Sequence, residues 1–78
     1  MIIQIEKALV TGVYVGKNKA DYVTFQLEGG GELKLSIPKE LMTDFIWGKM
    51  IALEAVCSAR LFNNNLNLQV VSCKVKAL

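Results

Sequence analysis

The chain has no histidine among its 78 residues, and this absence removes the side chain that most often serves as a general base or as a nitrogen ligand to a metal. The two cysteines have no second pair of ligands nearby at zinc spacing. The sequence also offers no paired carboxylates and no nucleophile beside a base. We therefore expect no metal site, no cofactor and no catalytic residues, and predict that the protein is not an enzyme.

Cysteine is scarce, which excludes a scaffold held together by disulfide bonds. Cys57 and Cys73 are the only two cysteines, and both lie in apolar, strand-like stretches. In such positions a thiol behaves mostly as a small hydrophobic side chain. The sequence therefore predicts two buried free thiols.

Long apolar runs are absent as well. No stretch approaches the roughly 18 to 20 apolar residues that a membrane-spanning helix needs. The amino terminus lacks the pattern of a secretory signal, in which basic residues precede an apolar segment. We expect an intracellular, cytoplasmic protein with no membrane partner.

Charge is low, but apolar side chains are abundant. A net charge of +2 attracts a polyanion only modestly, so any basic signal must be local. Hydrophobic residues make up 53% of the 78 residues, a length that suits one domain over residues 1–78. Because so small a domain cannot bury all of this apolar surface, we expect a homo-oligomer, with a dimer favoured.

The first 37 residues have the pattern of a three-stranded meander. Ile2 to Val15 is a long strand with Gly12 inside it, where a bulge or bend lets one strand pair on two sides. Polar turn formers at 16–21 (GKNKAD) and three glycines at 29–31 separate the next two strands. In both strands apolar residues alternate with polar ones, as in a sheet with one buried face: Val23, Phe25 and Leu27, then Leu33, Leu35 and Ile37.

The pattern changes at Pro38, after which apolar residues recur at helical spacing as far as Gly48. This predicts a helix of about nine residues, held by packing because it is too short to be stable alone. We assign Phe25, Phe45 and Trp47 to the core.

Two more strands follow the helix. Residues 49–62 form the first, and its apolar face is expected to comprise Ile51, Leu53, Ala55, Cys57, Ala59 and Leu61. Three asparagines at 63–65 predict a turn. In the last strand the apolar stripe shifts phase between Val70 and Val71, which predicts another bulge.

This element order, three strands, a helix and two strands with a long bent first strand, is typical of the OB-fold. We therefore predict an all-β fold with one short helix, a five-stranded OB-fold barrel. An SH3-like barrel is the main alternative, but it lacks a helix of this length between strands three and four. OB-folds bind ligands on strands two and three and with the loops after strands one and four, here 16–21 and 60–65.

These positions carry side chains suited to single-stranded nucleic acid. Lysine and arginine contact phosphates, and aromatic rings stack on unpaired bases of any identity. By strand alternation the two tyrosines and Lys34 point away from the barrel interior. The candidate nucleic-acid-binding residues are Tyr14, Lys17, Lys19, Tyr22, Lys34, Arg60 and Phe62.

The tyrosines and the loop lysines also have a structural interpretation, whereas Phe62 favours a binding role. Tyr14 and Tyr22 could shield one sheet face or a dimer interface as cross-strand partners. Lys17 and Lys19 could be solvated loop charges. Phe62 lies beside three asparagines, and an aromatic ring at a polar loop tip favours contact with a ligand or partner.

The amino-terminal half also resembles a known family. The chain begins with a short apolar strand (MIIQIE), continues through a GK-containing loop into an aromatic strand (GKNKADYVTFQL), and turns through glycines into LKLSI. In these features it resembles the small single-stranded-DNA-binding proteins of filamentous phages and mobile elements. The resemblance implies a homodimer that coats DNA replication intermediates cooperatively, with contacts at Lys17, Lys19, Tyr22 and Lys34.

The sequence therefore suggests two functions. The leading one is sequence-tolerant binding of single-stranded nucleic acid, with DNA favoured over RNA, through basic loops and stacking rings. The alternative is an OB-fold module for protein–protein interaction or a structural adaptor, since a fold alone does not decide function.

Overall fold

The structure is a computed structural model that describes residues 1–16 and 21–78, and at Phe62 only the backbone. Five strands close into a barrel in the order β1-β2-β3-β5-β4, and β4 pairs back onto β1. β3 and β5 are parallel, as in an OB-type barrel, and the predicted fold class is confirmed. The elements are β1 (Ile2–Tyr14), β2 (Tyr22–Leu27), β3 (Glu32–Ser36), the 3₁₀ helix η1 (Lys39–Asp44), β4 (Met50–Phe62) and β5 (Asn65–Ala77).

β1 pairs on both sides because it bends at two bulges. Its first half pairs with β4 and its second half with β2, and the two ladders overlap at Ala8 and Leu9. In the ladder with β4 the register shifts by one residue between Ile5 and Ala8. In the ladder with β2 it shifts by one residue between Val10 and Gly12, so Thr11 is the extra residue. A bulge bends a strand and increases its twist. The bulge predicted at Gly12 is thus confirmed, with its unpaired residue at Thr11.

The core is built from inward-facing side chains of all five strands and from the segment that joins β3 to β4. Phe45 in that segment packs edge-on against Phe25 in β2, with ring centroids 5.6 Å apart. The core positions predicted for these two rings are confirmed. The buried apolar residues are Ala8, Val10, Val23, Phe25, Leu35, Ile37, Met42, Phe45, Ile51, Leu53, Ala55, Cys57 and Val70.

The helix between β3 and β4 is shorter than the sequence predicts. Instead of spanning 38–48, it is a 3₁₀ helix over Lys39–Asp44, and the Leu41 N–H donates to the Pro38 carbonyl at 2.9 Å. Bonds between residues three apart suit only short pieces of helix. Because η1 ends at Asp44, Trp47 lies beyond it and is 72% exposed, so its predicted core position is wrong. No helix in the described part of the chain is long and apolar enough to cross a membrane.

The turn between β4 and β5 is tighter than predicted. Asn63 and Asn64 adopt φ values of 50° and 64°, a left-handed conformation that asparagine tolerates and that two-residue hairpin turns need. The ladder therefore continues to the pair Phe62 and Asn65. Arg60 and Phe62, expected in a loop, are strand residues of β4.

The far end of this hairpin extends past the core. β1 pairs with β4 between Met50 and Val56, and Met1 exchanges backbone hydrogen bonds with Cys57. Beyond Cys57 the β4 strand pairs with β5 alone. Leu53 is buried as alternation predicts, whereas Ala59 and Leu61 are exposed although they have the same parity, and Leu61 is 77% exposed. The predicted apolar face is therefore buried only as far as Cys57.

The bulge predicted in β5 is confirmed, and of the two thiols predicted to be buried only Cys57, in β4, is fully so. The ladder pairs Val56 with Ser72 but Cys57 with Val70, so Val71 is the extra residue of the predicted bulge. Both cysteines are free. Cys57 is buried and Cys73 is half-buried, and burial raises the pKa of both thiols, which keeps them protonated at neutral pH.

We expect Leu53→Ala and Leu61→Ala, the same chemical change on one strand, to differ sharply in their effect on stability. The buried Leu53 side chain leaves a cavity, so its loss should lower the free energy of unfolding by about 2–5 kcal/mol. Removal of the exposed Leu61 side chain should change the free energy of unfolding by no more than about 0.5 kcal/mol. Urea unfolding followed by circular dichroism measures both, and equal losses would show that the hairpin end is packed.

Candidate nucleic-acid interface

The outer surface of β1, β2 and β3 carries two adjacent rows of side chains, set by the strand register. Side chains in a strand alternate between faces, so these rows lie opposite the buried Val23 and Phe25. Three of the predicted site residues share this surface. The rows are Tyr14–Tyr22–Ser36 and Gly12–Thr24–Lys34.

Tyr14 reaches the outer surface because of the bulge at Thr11. Upstream of the bulge, Ala8 and Val10 point into the core. With uninterrupted alternation Tyr14 would point inward as well, since a shift of one residue exchanges the two faces of a strand. The extra residue changes the phase, and Tyr14 is 47% exposed.

The two tyrosine rings and a lysine form one cluster. The Tyr14 and Tyr22 rings are stacked, with centroids 4.5 Å apart and an angle of 19° between their planes. The Lys34 ammonium lies 4.2 Å from the Tyr22 ring centroid. Ring stacking and cation–π contact both hold side chains in defined positions. We call the surface formed by Tyr14, Tyr22 and Lys34 the aromatic face.

Gly12 makes room for the Tyr14 ring. A Cβ atom at Gly12 would lie 2.5 Å from Cε2 and 2.8 Å from the hydroxyl oxygen of Tyr14, and 2.7 Å from Oγ1 of Thr24. Because these distances are too short for real contacts, the ring rests directly on the glycine backbone. Glycine inside a strand often marks such a close approach.

The bulge also provides the hydrogen-bond acceptor for Trp47. Thr11 is left out of the ladder with β2, and its carbonyl accepts a 2.8 Å hydrogen bond from the indole Nε1. The Thr11 hydroxyl is 3.0 Å from that of Thr24. Trp47 is therefore fixed beside β1 as an exposed ring that the sequence prediction missed. The available signal was its position outside the helical stripe of Leu41, Met42, Phe45 and Ile46.

Arg60 lies further along the outer surface. Ser36 continues the Tyr22 row into β5, where it pairs with Gln69, and its hydroxyl makes a long 3.5 Å hydrogen bond to Oδ1 of Asn67. Arg60 is exposed and pairs with Asn67 across the β4–β5 ladder. The register thus links the aromatic face to Arg60.

Three of the predicted contacts cannot be located in this way. Lys17 and Lys19 lie outside the described residues, and so does the side chain of Phe62.

Asp21 holds the two ends of the loop over residues 16–21. It is buried, and its Oδ1 accepts a 3.0 Å hydrogen bond from the Gly16 N–H. Its carbonyl accepts another, of 2.9 Å, from the N–H of Ile37. These bonds fix the positions of Gly16 and Asp21 next to Tyr14 and Tyr22.

Charge is unevenly distributed over the barrel. Glu32 lies on the outer surface of β3, two residues from Lys34. After Glu54, however, the chain has no aspartate or glutamate, while it has Arg60 and two lysines. Repulsion of a polyanion is therefore weakest over the part of β4 that follows Glu54 and over β5.

Comparison of the chain with protein-family models, with curated proteins and with solved structures gives no match. Function must therefore be inferred from the chemistry of this surface.

We expect Gly12→Ala to displace the Tyr14 ring and to lower the free energy of unfolding by about 1–3 kcal/mol, the usual cost of overpacking. In a Tyr14→Ala background the same change should cost less, because two of the three short contacts are with Tyr14. Urea unfolding of the wild type, the two single variants and the double variant gives the coupling energy between the two positions. An equal cost in both backgrounds would contradict this account of Gly12.

Proposed function

We propose that the protein binds single-stranded nucleic acid, without strong sequence preference, through the aromatic face. One observation carries the proposal: an outward, half-exposed Tyr14 ring is backed by Tyr22, and the exposed Lys34 ammonium lies over that second ring. A stacking surface beside a cation suits the two parts of a nucleotide, its base and its phosphate.

The three side chains would have different roles. An unpaired base stacks on the exposed side of Tyr14, at about 1–3 kcal/mol and whatever its identity. Tyr22 orients the Tyr14 ring. Lys34 neutralises a phosphate and releases counterions, which makes binding sensitive to salt.

The nucleic acid would continue along the outer surface toward β4. Ser36 and Asn67 offer hydrogen-bonding groups on this path, and Arg60 offers a second cation. The absence of acidic residues after Glu54 supports this direction. Lys17, Lys19 and Phe62 belong to the proposal on sequence grounds alone.

The biological role is proposed from the family resemblance. It favours DNA over RNA, and a cytoplasmic homodimer that coats replication intermediates of a phage or mobile element. The exposed leucines at the hairpin end, Leu61 and its cross-strand partner Leu66, support a protein contact of this kind. They equally support the second candidate, a module that binds another protein.

Titration of fluorescently labelled oligo-dT at two salt concentrations tests the proposal. We expect binding at low salt that weakens steeply as salt is added. Lys34→Gln should reduce the slope of log affinity against log salt by about 1, as loss of one phosphate contact does. Absence of binding to both oligo-dT and oligo-rU at low salt would overturn the proposal.

Lys76→Gln is the matched control for the loss of charge. Lys76 is exposed and lies seven residues beyond Gln69 along β5, which at strand spacing is roughly 20 Å from the end of the Tyr22 row. For Lys76→Gln we expect the slope of log affinity against log salt to equal that of the wild type. An equal reduction in both variants would mean that Lys34 acts only through net charge.

A further inference from the structure

Trp47 is the most exposed of the aromatic side chains whose burial the structure describes. We propose that Trp47 is a second stacking platform, so that a single strand bound at Tyr14 continues across the bulge of β1 onto the indole ring. This inference rests on the proposed function. It adds the course of the nucleic acid beyond Tyr14, on the side of β1 that lies away from β2.

The exposure of Trp47 is more than its structural contact requires. The indole N–H caps the carbonyl of Thr11 at 2.8 Å, yet 72% of the side chain remains exposed. A tryptophan that serves the core buries most of its large apolar surface. A water molecule can satisfy an exposed carbonyl equally well. Stacking on a base would use the surface that the hydrogen bond leaves free.

The two rings lie close enough to serve one strand. Nε1 of Trp47 contacts the Thr11 carbonyl, and the Tyr14 ring rests on Gly12, the next residue. Standard bond lengths across that peptide place the nearest atoms of the two rings no more than about 10 Å apart. Bases stacked in a strand are spaced by about 3.4 Å, so the rings are within roughly three nucleotides of each other.

The segment that carries Trp47 is held against β1 by the two residues that follow the ring. The Gly48 N–H donates to the Val10 carbonyl at 2.8 Å, and the Val10 N–H donates to the Lys49 carbonyl at 3.0 Å. A ring held in this way loses little entropy when it binds a ligand. Lys49 is also exposed and brings a cation to the same stretch of β1.

The test uses the full chain and oligo-dT of about 12 nucleotides, within the site sizes known for OB-folds. Fluorescence anisotropy of the labelled oligonucleotide measures affinity. Because Trp47 is the only tryptophan, its own fluorescence reports contact with unlabelled oligo-dT. We expect quenching on binding, and a loss of affinity of about 5- to 150-fold in Trp47→Ala, equivalent to one base stack.

Two further variants separate stacking from other effects. Trp47→Phe keeps an aromatic ring without the N–H donor and should retain most of the affinity. Ile46→Ala removes a neighbouring exposed apolar side chain and should bind as the wild type does. Thermal unfolding checks that each variant is folded, and the quenching experiment on the wild type needs no variant.

The outcomes distinguish this inference from the proposed function. If the wild type does not bind oligo-dT, the proposed function fails and the inference fails with it. If it binds but Trp47 fluorescence does not change and Trp47→Ala has wild-type affinity, the inference is overturned while the proposed function stands.

Discussion

A single extra residue in β1, Thr11, is the constraint on which both the fold and the outer surface depend. The bulge there, together with the one ahead of Ala8, bends β1 so that it pairs with β4 along its first half and β2 along its second, which closes the barrel. The same bulge changes the phase of the strand. Tyr14 faces outward as a result, and the Thr11 carbonyl becomes available to Trp47.

The aromatic face is thus a by-product of how the barrel closes. Stacking of Tyr14 on Tyr22 needs cross-strand pairing, which the bulge sets, and a glycine beneath the Tyr14 ring. The surface presents flat rings, exposed ammonium groups and hydrogen-bonding side chains. These are the groups through which we propose that the protein holds a single strand of nucleic acid.

Much of the fold could be predicted because alternation and turn chemistry act locally. The strands of the meander, the left-handed asparagines and the bulge at Val71 all leave signals within a few residues. The errors concern residues whose surroundings are distant in sequence. Leu61 has the parity of a core residue, but β1 does not reach that part of β4. Trp47 follows a helix that proved too short to bury it.

The sequence by itself determined the order of the elements, the inward stripes of β2 and β3 and the outward parity of Tyr22 and Lys34, because these depend on period and on nearest neighbours. Only the tertiary structure decided that the two tyrosines stack, that Lys34 lies over Tyr22 and that Trp47 joins β1 beside them. These contacts join residues far apart in the chain, and they exist only once the barrel has closed and its register is set.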